Sequence, residues 1–483
     1  MDEVYLKKGK GESLKRFHPW VFSGAVEKIV TDGNLKEGDV VEVYSSQREF
    51  MGVGHYQVGS IAVRILSFTR CQIDFDFWRN ALMQALLMRR KLGLAPQGAD
   101  ATTAYRLVHG EGDMLPGLII DIYDRTAVIQ AHSAGMFRAK EEICRALLDI
   151  YGSSLEAVYD KSSGTAPYKA GLDLNDGYLY RAADYSGDSA DSFILENGNK
   201  FYVNWVEGQK TGFFLDQRNN RELVRRYAKG KRVLNLFCYT GGFSIYALAG
   251  GALSVDSVDC SKRAIELANA NVALNFPDAA GTHNVVGTHN VSGTPNIVGT
   301  HNGICEDAMD FLRNVEPEKY DLMIVDPPPF AKHRGALDNA LRAYKRLNAA
   351  AISKVAKGGL VFTFSWSQVV DKNDFALAVF SAAAMSGRRV KILHRLTQPE
   401  DHPVNIYHPE GEYLKGLVLY VEYLRHPEDK IEIFVRFCQQ VSSRWRPRPA
   451  KAPLQRPGQQ QTSSGGEKYS GLASNLAHLG RIC

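Results

Sequence analysis

Residues 233–245, Val-Leu-Asn-Leu-Phe-Cys-Tyr-Thr-Gly-Gly-Phe-Ser-Ile, constrain this chain more than any other stretch. A short apolar run enters a glycine turn and continues into a helical pattern, so the segment predicts a strand, a tight loop and a helix in immediate succession. Gly241 and Gly242 remove side chains where backbone must approach a ligand, and the helix beyond them offers unpaired N–H groups. Companion pieces follow in order. A second strand, Leu253 to Val258, ends at Asp259, 18 residues after Gly241, the distance at which dinucleotide folds place a carboxylate on ribose hydroxyls. A third element delivers Glu306-Asp307, and a fourth strand, Leu322 to Val325, ends in Asp326-Pro327-Pro328. One glycine pair is a weak signal, but the ordered set is not.

The loop decides between ligands. Cys238-Tyr239-Thr240-Gly241-Gly242-Phe243 lacks the Gly-x-Gly-x-x-Gly spacing that cradles a pyrophosphate. S-adenosylmethionine carries adenosine and a methionine arm but no phosphate, so the pattern favours that methyl donor. Beyond Asp326, Gly358-Gly359 leads into a strand, Leu360 to Phe364, that ends at Ser365-Trp366-Ser367. Ligands bind outside the carboxyl ends of parallel strands, so Asp326 and Trp366 are expected to border one crevice.

Upstream, residues 1–70 read as a small β-rich unit with the runs Val40 to Tyr44, Phe50 to Val53 and Ile61 to Ile65. Its basic start, Lys7, Lys8, Lys10, Lys15 and Arg16, precedes His18-Pro19-Trp20-Val21-Phe22; this is either a solvated face or a surface for RNA phosphates and bases. Residues 71–205 read as an α+β domain, with a helix capped by Asp74 that turns Trp78, Leu82, Ala85 and Leu92 to one side, strands from Tyr105, Gly117 and Thr126, and a helix from Lys140 to Tyr151. Arg106, Asp113 and Asp121 are expected in solvated structural roles there. In Lys210-Thr211-Gly212-Phe213-Phe214-Leu215-Asp216-Gln217-Arg218, Asp216 either caps the next helix or faces the methionine arm.

Between Gly281 and Ile304 four hexapeptides repeat, beginning Gly-Thr-His-Asn or Gly-Thr-Pro-Asn, and they predict an expanded surface loop inside the 206–424 domain. His283, His289 and His301 recur without carboxylate or cysteine ligands, so no metal site is expected. From 425 to 483 the composition turns to Pro, Gln, Ser and Arg and reads as a basic, disordered tail. Residues 441–483 hold seven Lys or Arg and one acid, which leaves 51 basic and 52 acidic residues before them, so the net charge of +5 belongs to the tail. Any grip on nucleic acid in the body must come from local patches. No stretch approaches a membrane span and the charged start does not resemble a secretory signal, so a cytoplasmic protein without membrane contact is expected. Seven scattered cysteines indicate neither zinc nor a disulfide framework.

These residues together resemble the bacterial PUA-domain class I methyltransferases that make 5-methylcytosine in large-subunit ribosomal RNA. The likeness covers about residues 1–422 and rests on His18-Pro19-Trp20-Val21-Phe22-Ser23-Gly24, Phe214-Leu215-Asp216-Gln217-Arg218, Leu236 to Phe243, Asp326-Pro327-Pro328 with Phe330, and Tyr413-Leu414-Lys415-Gly416. It implies an α/β chain: a PUA domain (1–70), a central α+β domain (71–205) and a Rossmann-like methyltransferase domain (206–424). It also implies S-adenosyl-L-methionine as cofactor and ribosomal RNA as partner, with a homodimer left open. The donor contacts so implied are Asn235, Phe237, Tyr239, Thr240, Gly241 and Gly242 with Gln217, Asp259, Asp307 and Asp326, and the catalytic positions are Asp326 and Trp366.

One departure bears on mechanism. Carbon 5 of cytosine is a poor nucleophile, so such enzymes add a cysteine thiolate to carbon 6. The resemblance places that cysteine in a Phe-Ser-Cys-Ser setting, and here the sequence reads Phe364-Ser365-Trp366-Ser367. Trp366 cannot attack; it either stacks on a base or packs. Cys238 is the nearest thiol by sequence and belongs to the donor loop. Three readings follow: cytosine-5 transfer, transfer to an exocyclic amine such as guanine N2, and RNA and donor binding without turnover.

Overall fold

The computed structural model describes residues 2–94, 102–185, 193–276, 285–287, 298–331 and 333–424. Alternating burial shapes the first sheet. β1 (Asp2–Leu6), β2 (Trp20–Phe22), β3 (Val26–Val30), β4 (Val40–Tyr44), β5 (Phe50–Tyr56) and β6 (Ile61–Ser67) form it in the order β2-β6-β5-β4-β1-β3, with the short helix α1 (Glu12–Lys15) between the first two strands. Val4, Leu6, Val41, Val43, Val63 and Ile65 point to one side and are fully buried, as period-2 strands with one covered face require.

The central domain opens with α2 (Phe75–Lys91), whose start Asp74 caps by accepting the Phe77 N–H. Trp78, Leu82, Ala85 and Leu86 face the core, whereas Leu92, expected with them, follows the last helical turn and is exposed. Strands β7 (Ala104–His109), β8 (Leu118–Tyr123), β9 (Thr126–Ala131), β10 (Ala157–Asp160) and β11 (Gly177–Arg181) form a sheet in the order β11-β10-β9-β8-β7, and α3 (Ala134–Arg138) and α4 (Lys140–Tyr151) lie between β9 and β10 in the chain. The solvated roles expected for Arg106, Asp113 and Asp121 are corrected. Arg106 forks onto Asp121 at 2.7 and 2.8 Å, Arg89 pairs with Asp113, and all four side chains are buried. Each charge has its counter-charge because an unpaired ion would not tolerate that burial.

Phe201 of the hairpin β12 (Phe193–Glu196) and β13 (Asn199–Tyr202) packs in a core shared by Tyr123 and Val128 on one side and Val233 and Tyr246 on the other. The following elements are α5 (Arg218–Tyr227), β14 (Arg232–Leu236), α6 (Gly242–Ala249), β15 (Ser254–Asp259), α7 (Lys262–Asn275), β16 (Val285–Gly287), β17 (Val298–Cys305), α8 (Ala308–Asn314), β18 (Leu322–Val325), α9 (Leu337–Lys354), β19 (Gly359–Ser365), α10 (Lys372–Ser386), β20 (Arg388–Leu396) and β21 (Lys415–Leu424). Asn275 and Asn271 of α7 tie the hairpin down by accepting the Lys200 and Tyr202 N–H groups at 2.8 Å.

The third sheet runs β16-β17-β15-β14-β18-β19-β21-β20, parallel from β17 to β19 and antiparallel at both ends. Strands buried on both faces read as unbroken apolar runs, as Leu322–Val325 and residues 360–362 do. The chain moves outward from β14 to β17 and returns to β18 on the other side of β14, so the switch point lies between β14 and β18, where open α/β sheets hold ligands.

The surface loop expected over 281–304 is corrected at its far end. Its last hexapeptide, Gly299 to Ile304, is the body of β17 and pairs with β15 from Thr300↔Ser254 to Ile304↔Val258. His301 is buried there and its Nε2 lies 2.8 Å from Ser257 Oγ, which gives it a structural partner. His283 and His289, and the tail from 425 to 483, lie outside the described residues.

Candidate active site

The loop between β14 and α6 is bent by three residues in the left-handed region, Phe237 (φ +59°), Tyr239 (φ +47°) and Gly241 (φ +78°). Phe237 and Tyr239 have no glycine freedom, so their conformation is held by the surroundings. The Cys238 N–H donates to Val258 O at 3.1 Å, the Gly241 N–H to Cys238 O at 2.8 Å, and Asn271 Nδ2 to Thr240 O at 2.9 Å. A Cβ on Gly241 would stand 3.0 Å from Ala268 Cβ, so this position needs glycine for both its φ and the close approach of α7. The loop presents the N-terminus of α6 toward a cavity of about 1210 Å³ at the switch point, lined by Phe237, Tyr239, Thr240 and Gly242 among others.

Asp259, at the end of β15, reaches the same cavity. One carboxylate oxygen accepts the Tyr239 N–H at 3.1 Å and the other the Ser261 N–H at 2.9 Å, which fixes its orientation and joins it to the loop. Asp307 does not line this cavity. It is exposed and caps α8, accepting from the Met309 and Asp310 N–H groups. Asn235 is not among the residues that line the cavity either. It is buried in β14 beneath the loop, where its Nδ2 donates to Ser244 Oγ at 2.8 Å.

On the opposite wall stand Asp326, Gln217 and Trp366. The Trp366 indole N–H donates to Asp326 Oδ1 at 2.5 Å and Gln217 Nε2 donates to Oδ2 at 3.1 Å. Desolvation by the cavity wall pushes the Asp326 carboxyl up to about 7, against these two donors, which favour the ionised form. A carboxyl group poised there exchanges protons near neutral pH. Trp366 is half-buried, with its ring edge-on to Phe214 at 5.3 Å between centroids and the Lys210 Nζ 4.0 Å above its own centroid. Its ring packs on Phe214 and its indole N–H is spent on Asp326.

The capping role offered for Asp216 is not realised: α5 has no side-chain cap. Asp216 is buried and accepts from Lys210 Nζ at 2.8 Å and from the Tyr413 hydroxyl at 2.6 Å. Desolvation opposes its charge, but Lys210, His402 and the Tyr413 hydroxyl together outweigh it and hold the carboxyl below its usual range. This grouping is not legible in the sequence, because no spacing relates a residue at 413 to one at 216. Behind them Asp401 accepts from Arg218 Nη2 at 2.6 Å and from the Arg106 N–H at 2.9 Å, which locks the central domain to this wall. Among the described residues, Cys238 and Cys260 line the cavity, both on the donor-loop side. Burial, reinforced by Asp259, pushes the Cys238 thiol well above its ordinary value, so it is a poor thiolate.

A PUA-like domain family matches residues 4–68, and an S-adenosylmethionine-dependent methyltransferase family matches residues 180–407. The chain is 38% identical over 420 residues to the ribosomal RNA large subunit methyltransferase I of Aeromonas salmonicida, covering 86% of this chain and 98% of that protein. It is 38% identical over 418 residues to the protein of the same name from Pseudoalteromonas atlantica, with the same coverage. Among solved structures, an S-adenosylmethionine-dependent methyltransferase from Streptococcus mutans superposes with a TM-score of 0.67 at 23% identity, covering 87% of this chain and all of that one. A methyltransferase complexed with SAH superposes at 0.69 with the same identity and coverage.

Proposed function

Since this chain belongs to the ribosomal RNA large subunit methyltransferase I family, with its PUA-like and S-adenosylmethionine-dependent methyltransferase domains, we propose that it methylates large-subunit ribosomal RNA at an exocyclic base amine. The residues present suit the donor: the Phe237–Gly242 loop and the carboxylate of Asp259 offer backbone N–H groups, ring surface and a ribose acceptor around one cavity. S-adenosylmethionine supplies an electrophilic methyl group when bound there.

The observation that carries the acceptor class is the Trp366–Asp326 hydrogen bond, at the position where cytosine-5 chemistry needs a thiol. The cytosine-5 target implied by the resemblance is weakened by that residue and by the placement of Cys238 and Cys260 on the donor side. An amine needs no covalent adduct. It needs an acceptor that orients its N–H and takes the proton released as nitrogen gains a methyl group, and Asp326 offers both, with Trp366 and Gln217 fixing its two oxygens. The test is transfer of labelled methyl to large-subunit RNA followed by nucleoside mass analysis. An N-methylated purine or cytosine is expected; 5-methylcytosine as the product would overturn the amine reading, and no incorporation would leave a protein that binds without turnover.

A further inference from the structure

Phe17 occupies a position that normally belongs to glycine. Helix α1 ends in a Schellman motif: the His18 N–H donates to Ser13 O at 3.0 Å and the Phe17 N–H to Leu14 O at 2.8 Å, which puts Phe17 at φ +62°. A bulky residue there is strained, and it leaves Phe17 47% exposed. Its ring meets Phe68 edge-on at 5.3 Å and Tyr407 at 5.3 Å. Tyr407 is also 47% exposed, and Ile406 beside it, at 84%, is the most exposed large apolar side chain among the described residues. Phe22, exposed like Phe17, continues the series through His18, 6.0 Å away between centroids. Exposed Lys15 and Arg16 immediately precede Phe17 in the chain, and exposed Lys8 and Lys10 lie a few residues before them.

The strip crosses from one domain to the other, and the second domain's share leads to the cavity. Its segment is anchored at Asp401 by Arg218 and at Asn405, whose Nδ2 donates to Glu111 O at 3.0 Å, and it reaches Tyr413, which contacts Asp216 and lies 6.4 Å from Trp366 between ring centroids. The six residue steps from Tyr407 to Tyr413 span at most about 21 Å. We propose that Phe17, Phe22, Ile406 and Tyr407 form a stacking platform for unpaired nucleotides of the RNA substrate, with the flanking lysines and arginine on its phosphates, so that an unpaired strand held there runs toward the acceptor wall. The inference rests on the RNA-methyltransferase reading above. Exposed aromatics bordered by cations suit splayed bases, whereas an A-form duplex keeps its bases stacked inside and presents none of their faces.

The test uses the full chain with a 3′-labelled unstructured oligoribonucleotide, the same sequence annealed as a duplex, and S-adenosylmethionine by calorimetry. Wild type is expected to prefer the single strand. Tyr407→Ala and Phe17→Gly are each expected to weaken single-strand binding by about tenfold, the scale of one lost base stack, while leaving donor affinity unchanged. Glycine at 17 suits the left-handed backbone, so Phe17→Gly removes the ring without adding strain. Unchanged RNA affinity in both variants overturns the platform. So does an altered elution volume with RNA affinity intact, which would mark a protein contact. Failure of wild type to bind the donor at all would instead sink the underlying reading of the cavity.

Discussion

Trp366 holds Asp326: a single indole N–H, 2.5 Å from Oδ1, occupies the strand-end position from which related chemistry would launch a thiolate. The same carboxyl titrates near 7 because desolvation outweighs that donor and Gln217. If the ionised carboxylate takes the amine proton, activity rises with pH through about 7 and then levels. Trp366→Phe removes a donor that stabilises the ionised form, so the carboxyl must titrate higher and the rising limb must move to higher pH, with a loss of activity at pH 7. A pH–rate profile of kcat for both proteins checks this; an unshifted limb would dissociate Asp326 from the titration.

Trp366→Cys tests the thiol chemistry itself. The variant is expected to gain 5-methylcytosine formation and to be trapped covalently by RNA containing 5-fluorocytosine, whereas wild type is expected to do neither. Denaturing electrophoresis reads the trap. A trapped wild type would mean that another cysteine serves, and Cys238→Ala is the next variant.

Donor affinity should follow the loop and its carboxylate. Asp259→Ala frees the Tyr239 and Ser261 N–H groups and removes the ribose acceptor, and Gly241→Ala adds strain at φ +78° together with a 3.0 Å contact to Ala268. Each is expected to raise the Kd for S-adenosylmethionine at least about tenfold by calorimetry, the value of roughly one charge-assisted hydrogen bond. Asp307→Ala should instead lower stability by about 1 kcal/mol through the lost cap of α8. A large donor defect from Asp307→Ala would show that this aspartate reaches the ligand after all.

Asp121 is fully buried under Arg106 and also accepts from Thr211 at 2.6 Å. Asp121→Ala leaves an uncompensated guanidinium and is expected to destabilise the chain by about 3–5 kcal/mol in denaturant unfolding. A double variant, Arg106→Met with Asp121→Leu, is expected to recover much of that loss; if it recovers none, the pair's hydrogen bonds to its surroundings matter more than its charges.

The parts legible in the sequence are those whose cause is local or periodic. Burial on both faces demands the apolar run of β18, a left-handed turn demands Gly241, and strand ends place Asp259 and Asp326 at one rim, so the β-loop-α cradle and its two carboxylates followed from residues read in order, whereas the missing thiol at 366 was legible only through the family resemblance. What only the tertiary structure decided depends on residues that no spacing connects. Tyr413 meets Asp216 across 197 positions, Arg218 meets Asp401 across 183, and Asn271 and Asn275 of α7 capture the β12–β13 hairpin. Arg106 and Asp121 looked solvated because charge predicts exposure, until β7 and β8 paired them in a closed core where each could survive only beside the other. The last hexapeptide likewise looked like loop, because repetition carries no register. A free parallel edge on β15 made it a strand, since the backbone N–H and C=O groups of that edge needed partners.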